Sequence, residues 1–374
     1  MPNSKGKKPL TDGVLGWLTT TLGRILISLV VPIVTFFVLW KVFLFLRDSN
    51  APQIVIVLVA IIWGVGGIAI LFVLTNWIVE QLPDPWPGRI QPFVFIGPAV
   101  AIMGWYLAVP VIRTLILSFK NDISTQWVGL DNYIFAFTDR IMMETFRNNL
   151  LWMIVGTTFS VGIGLLVAVL ADRSRFESIY KSIIFMPMAI SFVGAGVIWK
   201  FMYTYKGEGI GINEIGLLNA IVIALGGTPQ PWLSLPPWNT FFLIAIMIWL
   251  QTGYAMVILS SAIKGIPAEL LEAARIDGAS EIQAFFRISV PIIKGTLITV
   301  STTIVIFSLK LFDIVRVMTG GNNGTNVIAN EFYLQRFTYG NTGRASAIAI
   351  VLLVAVIPVI VNNLREFNRD RRAF

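Results

Sequence analysis

Residues 264–291 read KGIPAELLEAARIDGASEIQAFFRISVP, a polar stretch set between two long apolar runs. Pro267 suits the first position of a helix, where its missing N–H costs nothing. Glu269 falls in the first turn, where the helix dipole favours a negative charge. Leu270, Leu271 and Ala274 follow at helical spacing. Gly278 can take the left-handed conformation that ends a helix. Ser280 with Gln283 forms a capping box for a second helix, which carries Ile282, Phe285, Phe286 and Val290 before Pro291. The stretch is therefore expected to be two short helices joined by a glycine elbow. Two readings are open: a helix hairpin lying on a bilayer surface, or a lever that docks a partner. The small residues Ala273, Ala274 and Gly278 would allow a close backbone approach in the second.

The flanks show what such a loop would connect. Of 374 residues, 56% are hydrophobic and 13% charged, with mean hydropathy +0.78; soluble domains carry about 25% charged residues. A bilayer core takes about 20 apolar residues per helix. Eight spans are expected, at roughly 25–46, 54–79, 92–117, 149–171, 181–205, 239–263, 292–318 and 344–363. The first is too long for the apolar part of a signal peptide, and no small-x-small cleavage site follows it. The expected fold is thus all-α and polytopic. Pro83, Pro85 and Pro87 separate an N-terminal tail and two-helix hairpin (1–90) from a six-span core (91–374).

An even number of spans puts both termini on one side. With both in the cytoplasm, the segments on that side hold 16 of the 28 Lys and Arg and the outer segments seven, the asymmetry expected of cytoplasmic loops. This accounts for most of the net charge of +8 without nucleic acid. The outer loops are then 206–238 and 319–343, and Trp232 and Trp238 fit an interfacial aromatic belt.

The chain has no cysteine and no histidine, which removes disulfides, thiolate and imidazole metal sites, and His-based catalysis. No Gly-x4-Gly-Lys-Ser/Thr loop occurs, so ATP is not bound here by that route. No catalytic residue and no metal site is expected. Any energy source is an ion gradient read by carboxylates, or ATP hydrolysed on another chain. No internal repeat is visible, which counts against a secondary carrier.

Glu272-Ala273-Ala274, then Asp277-Gly278, then Ile288-Ser289-Val290-Pro291 resembles the EAA signature of binding-protein-dependent ABC importer permeases. Val290 stands where Leu is common. In that family the first helix of the loop inserts into a cleft of the ATPase subunit, and the glutamate contributes to docking. The resemblance covers roughly 90–374. Trp127-Val128-Gly129-Leu130-Asp131-Asn132-Tyr133, and Phe312-Asp313 with Thr319-Gly320-Gly321, are similar to the carbohydrate-uptake branch, whose layout is that of the larger maltose-type and α-glucoside permeases; the large external domain of the maltose type is absent here. The resemblance implies a multi-pass subunit of a bacterial plasma membrane. Its partners would be a second permease, two ATP-binding cassette subunits that hold ATP and Mg, and an extracytoplasmic sugar-binding protein. The solute would be a di- or oligosaccharide.

Aligned with the maltose-type permeases, Trp249, Gln251 and Tyr254 of the sixth span fall on or beside sugar-lining positions, with Gln251 replacing a glycine. Phe307, Ser308 and Leu311 of the seventh span are candidates on the same basis. Aromatic walls with a few polar groups suit a sugar; interhelical hydrogen bonds are the plainer use of such residues. Lys310, Asp313 and Arg316 recur every three residues, so an ion pair on one helix face is expected. Met186-Pro187-Met188 is expected to kink the fifth span. Two other functions are weighed: an ion-driven carrier coupled through Asp313, and a non-transporting scaffold that uses the loop to hold a partner.

Overall fold

A computed structural model describes residues 21–80, 85–172, 174–206 and 216–370. The tail 1–20 and Pro83 lie outside the described residues. The chain divides into two compact units, Met1–Val111 and Ile112–Phe374. Among the described residues the only β pairing is an isolated bridge between Lys120 and Trp127.

The first unit holds α1 (Thr21–Asp48), α2 (Gln53–Glu80) and the start of α3 (Trp86–Leu117). At 28 residues, α1 and α2 are each about 42 Å long, enough to cross a bilayer with tilt. Only 6% of the most apolar stretch of α2 is buried inside the protein. Ile62, Val65 and Val73 point outward, an apolar surface that suits hydrocarbon rather than water.

The second unit takes in the end of α3 and continues with α4 (Asp131–Thr138) and α5 (Arg140–Asp172). Nine residues before the expected span, α5 already begins, because Asp139 caps it by accepting from the Ile141 and Met142 N–H groups. Then come α6 (Glu177–Ala189), α7 (Phe192–Met202), α8 (Leu217–Ala224) and α9 (Trp238–Lys264). The loop helices are α10 (Ala268–Ile276) and α11 (Glu281–Ile292). They lead into α12 (Lys294–Leu309), α13 (Asp313–Met318), α14 (Ile328–Tyr333) and α15 (Thr342–Asp370).

Among the described residues, five helices (α2, α3, α5, α9 and α15) are long and apolar enough to cross a membrane, or up to seven when each of two bent pairs is one span. The 28-residue α1 lies where the first of the eight spans is expected.

Two expected spans are broken. Between α6 and α7 the chain turns by 102°, well beyond a kink. Pro187 sits in a 3-10 turn there, and the Ser191 hydroxyl caps the next helix by accepting from the Gly194 N–H at 3.1 Å. The expected span 292–318 breaks between Leu309 and Asp313, and at its start the loop helix α11 meets α12 at 71°.

The centre of the second unit is α9. More than half of its most apolar stretch is buried, with Leu243, Ile246, Met247, Met256 and Leu259 packed on Trp152, Ile304 and Ile314. Two glycines let neighbours approach it. A β-carbon at Gly164 would stand 2.6 Å from the Ala255 Cβ, and one at Gly253 would stand 2.6 Å from the Ile184 carbonyl oxygen. Trp232 joins this packing: its ring meets Phe242 edge-on, centroids 5.0 Å apart. It is therefore not a free belt residue, whereas Trp238 is 62% exposed.

Candidate functional site

The loop at 264–291 forms the expected hairpin. Pro267 is the N-cap of α10 rather than its first residue, so the helix begins one position later than expected, at Ala268. Gly278 has φ +81°, and the Ala279 N–H donates to the Ala274 carbonyl at 2.9 Å, closing the helix end. Both bonds of the capping box form: the Gln283 N–H donates to Ser280 Oγ at 3.3 Å, and the Ser280 N–H to Gln283 Oε1 at 2.9 Å. Ala274 is buried and Leu271 half-buried, so they form the inward face. Glu272, Ala273, Asp277 and Gly278 are exposed, and Ile276 is 86% exposed. In α11, Ile282 and Phe286 are also exposed, as is Pro291. One face is thus built into the protein, and the other carries the signature residues outward.

Beneath the inward face, charged groups join three helix ends. Lys181 of α6 donates to Asp172 of α5, to Glu177 and to Ser260 of α9. Ser260 donates to Asp172 Oδ1 at 2.8 Å, and Lys264 pairs with Glu177. The side chains of Lys181 and Asp172 are 18% and 12% exposed. Between this cluster and the loop lies a cavity of about 470 Å³, lined by Asp172, Leu271, Arg275, Glu281 and Phe285 among others. No sequence pattern announces this cluster, because its members come from three separated segments.

Four of the six candidate solute residues fall on two seams. Trp249 meets Trp199 of α7 edge-on at 5.8 Å, and Phe307 of α12 meets Phe192 of α7 at 4.6 Å. Phe192 and Trp199 are seven apart and share one face of α7. At 100° per residue, Gln251 points 200° away from Trp249, and Tyr254 lies 60° from Gln251.

That direction is toward α5. Position 156 of α5 faces Met247, since a β-carbon there would be 3.1 Å from its sulfur, and position 164 faces Ala255. Both pairs are offset by 91 residues, a register that sets Ser160 level with Gln251.

Ser160 Oγ and Thr157 Oγ1 are buried without a hydrogen-bond partner. The side chain of Gln251, a residue 9% exposed, makes no hydrogen bond among the described residues. Sequence reasoning missed Ser160 and Thr157; their spacing of three in an apolar span was the available signal. Ser308 is fully buried and donates to the Val305 carbonyl at 2.8 Å. Leu311 is buried in the apolar core beyond the end of α12.

The expected ion pair at Asp313 does not form. α12 ends at Leu309 and α13 starts at Asp313, so Lys310 is not on the same helix as Asp313. Arg316 lies over the Tyr333 ring at 4.5 Å instead. A helix-face argument fails when the helix breaks between its members.

The segment 319–343, expected as a polar loop, encloses a buried network. Glu331, 2% exposed, accepts from Asn326 Nδ2 and Gln335 Nε2, both at 2.7 Å. Asn330 donates to Asn326 Oδ1 at 2.7 Å, and Asn148 of α5 donates to the Gly324 and Asn326 carbonyls at 2.8 Å. Asn149 Oδ1 accepts from the Ile328 N–H at 2.8 Å. Gly321 has φ +90°, and a β-carbon on it would fall 2.5 Å from Asn330 Nδ2. Asn132, in the motif at 127–133, donates to the Ser118 and Lys120 carbonyls. Both sequence motifs therefore work as scaffolding in this fold.

Comparison with known proteins supports this picture. Residues 160–372 match a family described as "Binding-protein-dependent transport system inner membrane component". The chain is 54% identical over 279 residues to the "Osmoprotective compounds uptake permease protein GgtC" of Synechocystis sp., covering 75% of this chain and 99% of that one. It is 48% identical over 284 residues to the "Alpha-glucoside transport system permease protein AglF" of Rhizobium meliloti, covering 76% and 84%. Among solved structures, the fold is similar to a chain of a bacterial alginate ABC transporter in complex with an alginate pentasaccharide-bound periplasmic protein. The TM-score is 0.64 at 19% identity, covering 75% of this chain and 96% of that one. A membrane-embedded, all-helical architecture and a family match over more than half of its length lead to one conclusion: this chain belongs to the family of binding-protein-dependent transport system inner membrane components, the permeases of ABC importers.

Proposed function

We propose that this chain is the permease subunit of an ATP-driven importer for a di- or oligosaccharide of the α-glucoside kind, with both termini in the cytoplasm. The observation that carries the reading is the loop 264–291, whose inner face is packed and whose outer face presents Glu272, Ala273, Ile276 and Gly278. An apolar side chain as exposed as Ile276, beside small residues and a glutamate, suits a cleft in a partner protein. The partners are two ATP-binding cassette subunits, which hold ATP and Mg, a second permease, and an extracytoplasmic sugar-binding protein that packs against 206–238. This chain makes and breaks no bonds itself; it converts closure of the ATPase subunits into alternating access.

The sugar class rests on the relatives named above and on the α5–α9 seam. There Gln251, Ser160 and Thr157 are polar groups without hydrogen-bond partners inside an apolar bundle, and Tyr254 adds an aromatic face. Such groups are costly in hydrocarbon unless they meet a polar solute. Trp249 and Phe307 line the seam with α7, where Ser308 and Leu311 stabilise the end of α12.

Purification of the tagged chain in mild detergent from its host tests the assembly. Stoichiometric recovery of an ATPase subunit and a second permease is expected. A stable lone chain, active in proton- or sodium-driven flux, would overturn the reading. For the solute, Gln251→Leu is expected to change uptake among sugars while leaving the assembly intact; unchanged uptake would remove Gln251 from the site.

A further inference from the structure

Asp172 ends α5 at the same end of the bundle as the loop. Its Oδ1 receives Ser260 and Lys181, but its Oδ2 is buried and receives no hydrogen bond. A buried carboxylate oxygen without a donor is an unmet demand. Across the cavity of about 470 Å³ stands Arg275, which lines the same space. Its Nε now pairs with Glu281 Oε1 at 3.0 Å, linking α10 to α11. That pair is weak, because its side chains are 58% and 50% exposed. A guanidinium beside Asp172, at 12% side-chain exposure, would meet a less screened carboxylate in a geometry that suits Arg.

We propose that Asp172 is a second seat for Arg275: when the loop is pushed toward the helix ends, the Arg275 guanidinium leaves Glu281 for Asp172 Oδ2 and ties α10 to the ends of α5, α6 and α9. The inference rests on the loop being the part that the ATPase subunits move. Asp172 and Glu177 already balance Lys181 and Lys264, so the exchange is not self-driven. It waits on an external push, as a coupling element must. Asp172 and Arg275 are thus positioning residues for transport.

The chain has no cysteine, so two introduced cysteines report cleanly. Val169 and Leu271 line the cavity on opposite elements. In the complete reconstituted complex carrying Val169→Cys and Leu271→Cys, oxidative cross-linking within this chain is expected to run several-fold faster with ATP and vanadate than without nucleotide. Asp172→Asn and Arg275→Gln should each abolish that acceleration, and Glu281→Gln should speed cross-linking without nucleotide. A nucleotide-independent rate, or acceleration that survives Asp172→Asn and Arg275→Gln, would overturn the proposal. Where Arg275→Gln sheds the ATPase subunits, Glu281→Gln decides: an unchanged rate overturns the second seat and a faster one supports it. Absence of ATPase subunits from the parent complex would remove the docking role of the loop, and this inference with it.

Discussion

Gly164 of α5 and Ala255 of α9 stand so close that a β-carbon on the glycine would lie 2.6 Å from the alanine Cβ and 2.9 Å from the Met256 nitrogen. Backbone lies on one side of that contact, so no rotamer change relieves it. Gly164→Val is expected to destabilise the protein by about 3 kcal/mol or more, the upper range for overpacking. Gly162→Ala, at a site with nothing within 4 Å, should be neutral. Thermal unfolding of both variants in detergent checks the contrast.

Gly278 poses the opposite case. A β-carbon there meets nothing within 4 Å, but φ is +81°. The cost of a side chain is therefore backbone strain of about 1–2 kcal/mol, not a clash. Gly278→Val should open the elbow and lower recovery of co-purifying ATPase subunits, while Gly278→Asn, which tolerates the left-handed region, should keep most of it. Equal recovery from both would show that the elbow is not needed.

Glu331 accepts from two amides and is 2% exposed. Glu331→Gln keeps the volume but turns an N–H group toward one of those donors. The expected loss is about 1–3 kcal/mol, the penalty for a buried group left without its partner, read as a lower midpoint in thermal unfolding. Asn149→Ala, which strips the Ile328 N–H of its acceptor, should fall in the same range.

Lys181 and Lys264 share Glu177 but differ in setting: the Lys181 side chain is 18% exposed and the Lys264 side chain 52%. Lys181→Met leaves Asp172 without its cation in a poorly solvated place, and should destabilise the protein clearly more than Lys264→Met does. A ranking in the reverse order would place the weight of the cluster on the exposed pair.

Local rules carried the sequence reading far. Hydropathy located the long apolar helices, because length and apolarity alone decide whether a helix suits a bilayer, but not where two of the expected spans break. The 264–291 hairpin was legible down to Gly278 and the Ser280–Gln283 box, because caps and elbows are settled within a few residues. Packing between distant segments was not legible. Helix α9 shows the same sequence period all round, and only its neighbours turn Gln251 toward Ser160 and Trp249 toward Trp199. The breaks after Ala189 and Leu309, the second of which disjoins Lys310 from Asp313, depend on what surrounds the freed backbone groups. The Asp172–Lys181–Ser260 cluster and the Glu331 network gather residues from separate segments. Their charges and amides are stable away from water only because tertiary structure brings their partners within hydrogen-bond reach.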